Sequence, residues 1–272
     1  MNMIVCVKQV IDPEAPVASL KIDPTSNTIE PPPGVPPVIN PFDLNALEAA
    51  LQIKDKLGGT VTAISMGPLL AESVLRDALS RGANDAILLS DRAFVDADTL
   101  ATSYTLAVAI RKLGRFDLII CGEKTVDGDT GQVGPEIAEH LGIPHVAYVS
   151  EIKEVGEKMV LVCEMEGDRY LIESEFPLLI TVTKDINVPR LPSLSNKLKA
   201  RKAKIEIWTA ADLSPNVDQS RFGVQGSPTR VYRVTVPTEE GRKGEIFKGT
   251  VDEAVRRTVD AFEERQILKG LK

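Results

Sequence analysis

Short apolar runs alternate with longer amphipathic ones through the first half of the chain: MIVCV, FDLNALEAALQIKDKLG, TVTAISMG, LLAESVLRDALSRG, DAILLS, DTLATSYTLAVAIRKLG and FDLIICG. The short runs are apolar at consecutive positions, which suits strands covered on both faces, as in a parallel sheet. The longer runs carry apolar residues at helical spacing. Leu44, Leu47, Ala50, Leu51 and Ile53 fall on one stripe, and Gly58 and Gly82 stand where C-terminal caps belong. Strand and helix in alternation predict βαβ units, hence an α/β protein whose mostly parallel sheet is flanked by helices.

After Ile143 the pattern changes. KMVLVCEM and RYLIES predict a hairpin whose turn carries Gly167 and Asp168, and LLITVT predicts a buried strand, so antiparallel strands extend the parallel sheet. His145 is expected to start a strand, and His140 falls in the last turn of a helix, where contact with the helix dipole accounts for it. Pro189 and Pro192 bracket a segment expected to form neither a long helix nor a strand, an exposed loop over about 189–203 leading to a last strand from Ile205 to Trp208. The proline cluster of IDPTSNTIEPPPGVPPVINP predicts an extended connection into a helix beginning near Pro41. From Ala210 to Gly249 the chain is polar and rich in glycine and proline, before a helix from about Asp252 to Leu268. A tail this poor in core residues needs another surface to order against, so the expected division is an α/β domain over 1–210 and a C-terminal arm over 211–272.

A length of 272 residues with 43% hydrophobic content supports one large α/β domain plus such an appendage. The net charge of −7 argues against a nucleic-acid partner, although KLKARKAK, Lys197 to Lys204, reverses the sign locally. MNMIVCVKQVID has no basic leader followed by a long apolar run, and no later stretch approaches the roughly 18 apolar residues that span a bilayer. The expectation is a cytoplasmic protein without a membrane partner. Cys6, Cys121 and Cys163 are odd in number and include no C-x-x-C pair, which points to buried thiols.

The stretch CGEKTVDGDTGQVGP places Gly128, Gly131 and Gly134 in the spacing GxxGxxG and threads Asp127 and Asp129 through the same loop. The loop follows the strand DLIIC and precedes the helix PEIAEHL, with Pro135 near its first position, so loop amides can face an anion in front of the helix. Two carboxylates should repel a phosphate. A calcium loop begun at Asp127 needs glycine at its sixth position and glutamate at its twelfth, where Gln132 and Ala138 stand. There is no His or Cys cluster for zinc or iron, and magnesium entering with phosphates stays open. No G-K-[ST] follows the glycines and no G-x-G-x-x-G follows the first strand, which sets aside a P-loop and the dinucleotide fingerprint. The plain alternative is a turn in which Asp129 or Thr130 merely caps the helix.

GEKTVDGDTGQVGPEIAEHLG, together with VKQVIDP, INPFDLNALEAALQIKD and ISMGP, closely resembles the β subunit of electron transfer flavoproteins, over Met1 to about Asp212. The resemblance implies an adenine-nucleotide-binding fold of the HUP-like, Rossmann-like type and an α subunit as partner, carrying the electron-transferring FAD. It implies that Cys6, Val7, Asn40, Pro41, Phe42, Asp43 and Met66 contact an adenine nucleotide. Thr125, Val126, Asp127, Gly128, Asp129, Thr130, Gly131, Gln132, Val133 and Gly134 match the family's phosphate and ribose loop. In that reading the glycine amides and the Thr130 hydroxyl meet phosphates, while the acids cap, orient amides or meet ribose hydroxyls.

Simple carriers of this family hold AMP in the β subunit and have a loop of the form D-D-D-x-x-Q-T-G-Q; the electron-bifurcating branch holds a second FAD there. Gly128 in place of the middle acid, and the ending Val133-Gly134-Pro135, resemble the bifurcating branch, which implies NADH as hydride donor, a ferredoxin or flavodoxin as low-potential acceptor and an acyl-CoA dehydrogenase-type enzyme as partner. PRLPSLSNKLKARKAK resembles the family's recognition loop, with Leu194 as apolar anchor flanked by Lys199 and Lys202. The alternative there is a solvated basic face with Leu194 packed inward. A non-bifurcating carrier with structural AMP is the first rival for the whole chain. An adenylating or ATP-hydrolysing protein of the same fold is the second, but VKQVID stands where its S-G-G-x-D-S loop would be. No Ser/His/Asp set or paired carboxylates emerge as catalytic residues, which leaves the hard chemistry to flavin.

Overall fold

In the computed structural model, which describes residues 1–16, 20–23, 28–30, 34–213, 217–235 and 244–267, the first apolar run forms β1 (Asn2–Cys6) at the middle of a sheet. On one side β1 pairs with β6 (Thr60–Met66), then come β7 (Asp85–Leu89) and β13 (Glu206–Trp208). On the other it pairs with β8 (Leu118–Gly122), followed by β12 (Leu178–Val182) and β9 (His145–Val155). These seven strands are parallel. The antiparallel extension is β10 (Met159–Met165) on β9 and β11 (Asp168–Ser174) at the edge.

The covering of both faces follows from strand alternation. Met3, Val5 and Val7 pack into a core with α1 (Pro41–Leu57) and α2 (Glu72–Arg81). Ile4 and Cys6 pack into a second core with α3 (Thr99–Leu113) and α4 (Val133–Leu141). Each fully buried leucine or isoleucine in these layers contributes about 1.5–3 kcal/mol over its exposed state. Among the described residues no helix is long and apolar enough to cross a membrane.

Several sequence expectations shift in detail. The hairpin turn is centred on Glu166 and Gly167, both with positive φ, and Asp168 already pairs with Met165, because a two-residue turn twists with its strands. The proline-rich connection is not wholly irregular: β2 (Gln9–Val10) pairs with β5 (Val38–Ile39), and β3 (Lys21–Asp23) with β4 (Thr28–Glu30). Part of it, residues 17–19, 24–27 and 31–33, lies outside the described residues. The loop at 189–203 contains a nine-residue helix, α5 (Leu194–Lys202), started by the Ser193 side chain, which accepts from Asn196 N at 3.1 Å. The expected terminal helix is α6 (Val251–Glu264), and Leu268 lies outside the described residues.

The chain divides into compact units at Met1–Val234 and Thr235–Lys272, further along than residue 210. Phe222 is the reason: it is buried with its ring 5.2 Å from that of Phe94 and 5.7 Å from that of Tyr104, which keeps the residues around it with the first unit.

Candidate functional site

Chain order reverses at β1, since the sheet grows to β6 and β7 on one side and to β8 and β12 on the other. Crevices beyond the carboxyl ends of parallel strands at such a point are where ligands bind in doubly wound sheets. A cleft of about 1400 Å³ lies here, walled by the ends of β1, β6 and β8, the glycine loop and the first turn of α3.

Its floor is organised by the first turn of α1. Asn40 is fully buried; its Nδ2 donates to Lys124 O at 2.9 Å and its Oδ1 accepts from Val126 N at 3.1 Å. Asp43 accepts from Lys8 N at 2.8 Å and from Gly122 N at 3.2 Å, which joins the ends of β1 and β8. Burial raises its carboxyl to about 7 in spite of the hydrogen bonds from Lys8, Asn40 and Gly122, which favour the charged form. Gly122 allows this approach, because a Cβ there would stand 2.5 Å from Asp43 Oδ1 and 2.6 Å from Phe42 Cβ.

The conflict between loop acids and an anion is resolved by pairing. Lys8 Nζ meets Asp127 at 2.7 Å, and Lys124 Nζ meets Asp129 at 2.8 Å. Partial burial alone would raise the Asp127 carboxyl, but the Lys8 charge and hydrogen bond outweigh it and hold it below its ordinary value. Neither Asp129 nor Thr130 caps α4: Gln132 occupies the N-cap position and no side chain caps the helix. Val133 and Gly134, in this first turn without a side-chain cap, stand at the cleft wall. Gly134 lets this turn sit against β12, since a Cβ there would fall 2.5 Å from Thr181 Cγ2.

Of the residues singled out in the sequence, Cys6, Val7, Asp43 and Met66 line the cleft, as do Thr125, Asp127, Gly128 and the run from Thr130 to Gly134. Asn40 and Val126 support the loop by the bond described above, Pro41 opens α1, Phe42 packs beneath Lys124 and Lys184, and Asp129 holds Lys124. Leu194, Lys199 and Lys202 are not part of the cleft wall. They are exposed on α5, so Leu194, 75% exposed, is not packed inward. Cys6 and Cys121 meet at the floor; their hydrogen bond and burial push the Cys121 thiol well above its usual value, which makes it a poor nucleophile. Among the described residues no group of three or more His, Cys, Asp or Glu side chains could hold a metal ion.

Residues 34–213 match the electron transfer flavoprotein domain family. The chain belongs to the electron transfer flavoprotein family. Relatives at 43–45% identity over nearly the whole chain are named as its subunit beta. It is 45% identical over 269 residues, 98% of this chain and all of the relative, to the electron transfer flavoprotein subunit beta of Thermoanaerobacterium thermosaccharolyticum. It is 43% identical over 278 residues, the whole of both chains, to that of Megasphaera elsdenii. The Caffeyl-CoA reductase-Etf complex subunit CarD of Acetobacterium woodii is 42% identical over 270 residues, 98% of this chain and all of the relative.

The flavoprotein cleft also has walls that sequence reading missed. Lys8 was visible in VKQVID, but its partner Asp127 is 119 residues away. Pro228, Thr229 and Val231 reach the cleft from beyond the stretch that matches the family. They are fastened there by Asp98, whose Oδ2 accepts from Thr229 N at 3.0 Å and Thr229 Oγ1 at 2.8 Å. Asp98 also caps α3, accepting from Ala101 N at 3.1 Å. Burial alone would raise its carboxyl, but these bonds hold it below its ordinary value. The one signal in the sequence was Asp98 itself, an N-cap residue directly before an apolar helical run.

Proposed function

We propose that this chain is the β subunit of a heterodimeric electron transfer flavoprotein of the bifurcating kind, binding FAD in the cleft at β1 and β8 and pairing with an α subunit that carries a second FAD. The observation that carries the reading is the uncapped first turn of α4 beside a loop whose two acids are already paired with lysines. Backbone amides there can receive a pyrophosphate without opposition from the two loop acids, whose charges Lys8 and Lys124 offset. Gly128 keeps one side of that loop clear, and a cleft of about 1400 Å³ is larger than the roughly 300–1,000 Å³ typical of sites for drug-sized ligands. The likeness to CarD, a subunit of a Caffeyl-CoA reductase-Etf complex, favours a dehydrogenase-type partner as well.

When bound, the flavin supplies hydride acceptance from NADH and delivery of electrons both to a ferredoxin or flavodoxin and, through the α subunit's FAD, to an acyl-CoA dehydrogenase-type enzyme. The residues of the chain bind and orient. The first turn of α1 fixes the floor through Asn40 and Asp43, Lys8 and Lys124 restrain the loop acids, and the amides of Val133 and Gly134 receive the anion. The exposed Leu194 and Lys199 and Lys202 of α5 suit a partner dehydrogenase with an apolar pocket in an acidic rim. Acid release and quantification of FAD and AMP from the purified heterodimer tests the reading: two FAD per heterodimer supports it, and one FAD with one AMP replaces it by the non-bifurcating carrier.

A further inference from the structure

Across the cleft wall from the glycine loop, the first turns of α3 and α4 meet. Thr99 Oγ1, at the first position of α3, donates to Glu136 Oε1 at 3.2 Å, and both residues line the cleft. The second carboxylate oxygen, Glu136 Oε2, is shielded from bulk water and has no hydrogen-bond partner among the described residues. Buried carboxylate oxygens are ordinarily paired, because leaving one without a donor forfeits its hydration for nothing. The surrounding groups do not supply the donor. His140, one turn along α4, is held below the ordinary imidazole value by burial and by Arg221, so it is neutral near pH 7; it hydrogen-bonds the Leu100 backbone, and its Nε2 has no partner. Lys8 and Lys124 are engaged with Asp127 and Asp129.

A carboxylate at this position discriminates between parts of a ligand. It repels phosphate oxygens, which the amides of Val133 and Gly134 on the same turn attract, and it attracts neutral groups that donate. We propose that Glu136, oriented by Thr99, is a hydroxyl-recognising subsite, in which Oε2 accepts a hydrogen bond from a sugar-type hydroxyl of the bound nucleotide. The subsite rests on the reading of the cleft as a nucleotide site. Ribose and ribityl chains present the same chemistry. AMP carries only the first, whereas FAD carries both.

The competing account is that Glu136 merely complements the positive end of the α4 dipole and ties α4 to α3. The two accounts differ in sign for Glu136→Gln. This variant keeps the acceptor for Thr99, turns the second oxygen into an N–H donor and removes a negative charge beside the anion site. The full chain, in the complex with which it purifies and with its nucleotide stripped, is titrated with FAD and with AMP, and its thermal midpoint without nucleotide confirms folding. Glu136→Gln is expected to weaken binding about tenfold, the size of one hydrogen bond to a charged acceptor. Thr99→Val, which leaves the charge in place and frees the carboxylate to rotate, is expected to give a smaller loss in the same direction. Weakening with both probes assigns a ribose hydroxyl, and weakening with FAD alone assigns the ribityl chain. Affinity that is unchanged or tighter in Glu136→Gln, with wild-type binding intact, overturns the subsite and leaves the nucleotide reading standing. A folded wild type that binds neither probe overturns both.

Discussion

Asp43 joins two neighbouring strand ends with one carboxylate, and its environment makes that junction pH-dependent. Burial raises it from 3.8 to about 7, so between those values the folded chain holds a proton that the unfolded chain releases. The folded state then binds more protons, and stability falls as pH rises through that window. Chemical unfolding at steps from pH 4 to 8 is expected to show this decline in the wild type and a flatter profile for Asp43→Asn; parallel profiles would remove Asp43 as the source. Gly128 acts by what it leaves out. A Cβ there would meet only Thr125 Oγ1, at 3.3 Å, so Gly128→Asp fits after a small adjustment. It adds a third acid to a loop whose two lysines are already engaged. Repulsion of an adjacent anion by about 1 to a few kcal/mol follows for partly screened charges. FAD retained on purification is expected to fall, with AMP in its place, and an unchanged FAD-to-protein ratio would contradict this account of the loop.

At the scale of elements, the site depends on how closely α4 approaches β12. Gly134→Ala sets a methyl 2.5 Å from Thr181 Cγ2, inside a fully packed layer where Thr181 is buried. Overpacking of this kind costs about 1–3 kcal/mol. A lowered thermal midpoint is expected for Gly134→Ala, with recovery on adding Thr181→Ser, which removes the offending methyl and keeps the oxygen that accepts from Tyr148 N. No recovery would place the damage elsewhere in the helix. Elements such as α1 and β1 were legible in the sequence because their signals are local: a proline and a cap-position glycine bound the helix, and unbroken apolar runs mark strands covered twice. The helix α5 was not, since Leu194 and Leu198 are exposed on it and no buried stripe gives it a period. The glycine loop raised the expectation of an anion site, but nothing in it revealed that Lys8 and Lys124 pair with its acids. Nor could the sequence show that Thr229 would reach back 131 residues to Asp98. Pairings at such separation leave no periodic trace.

For the whole molecule, the unit boundary at Val234 changes what the tail is expected to do. The segment through Thr229 is anchored within the first unit by the buried Phe222, by Val224 N donating to Val95 O at 3.1 Å, and by the bonds to Asp98. The second unit has no comparable interior among its described residues. Its helix α6 is bounded by a capping box in which Thr250 and Glu253 bond each other's backbones, yet Val251, Val255, Val259 and Phe262 are all exposed along one stripe. A short helix with an unburied apolar face is marginal alone, because helical stability in proteins comes chiefly from packing that face. Its proposed cover is the α subunit. Hydrogen exchange on the isolated chain and on the heterodimer separates the two segments: amides of Phe222 and Val224 are expected to be protected in both, and those of residues 251–264 only in the heterodimer. Strong protection of α6 in the isolated chain would mean that the unit folds without a partner, and exchange unchanged by the α subunit would place that subunit on another surface.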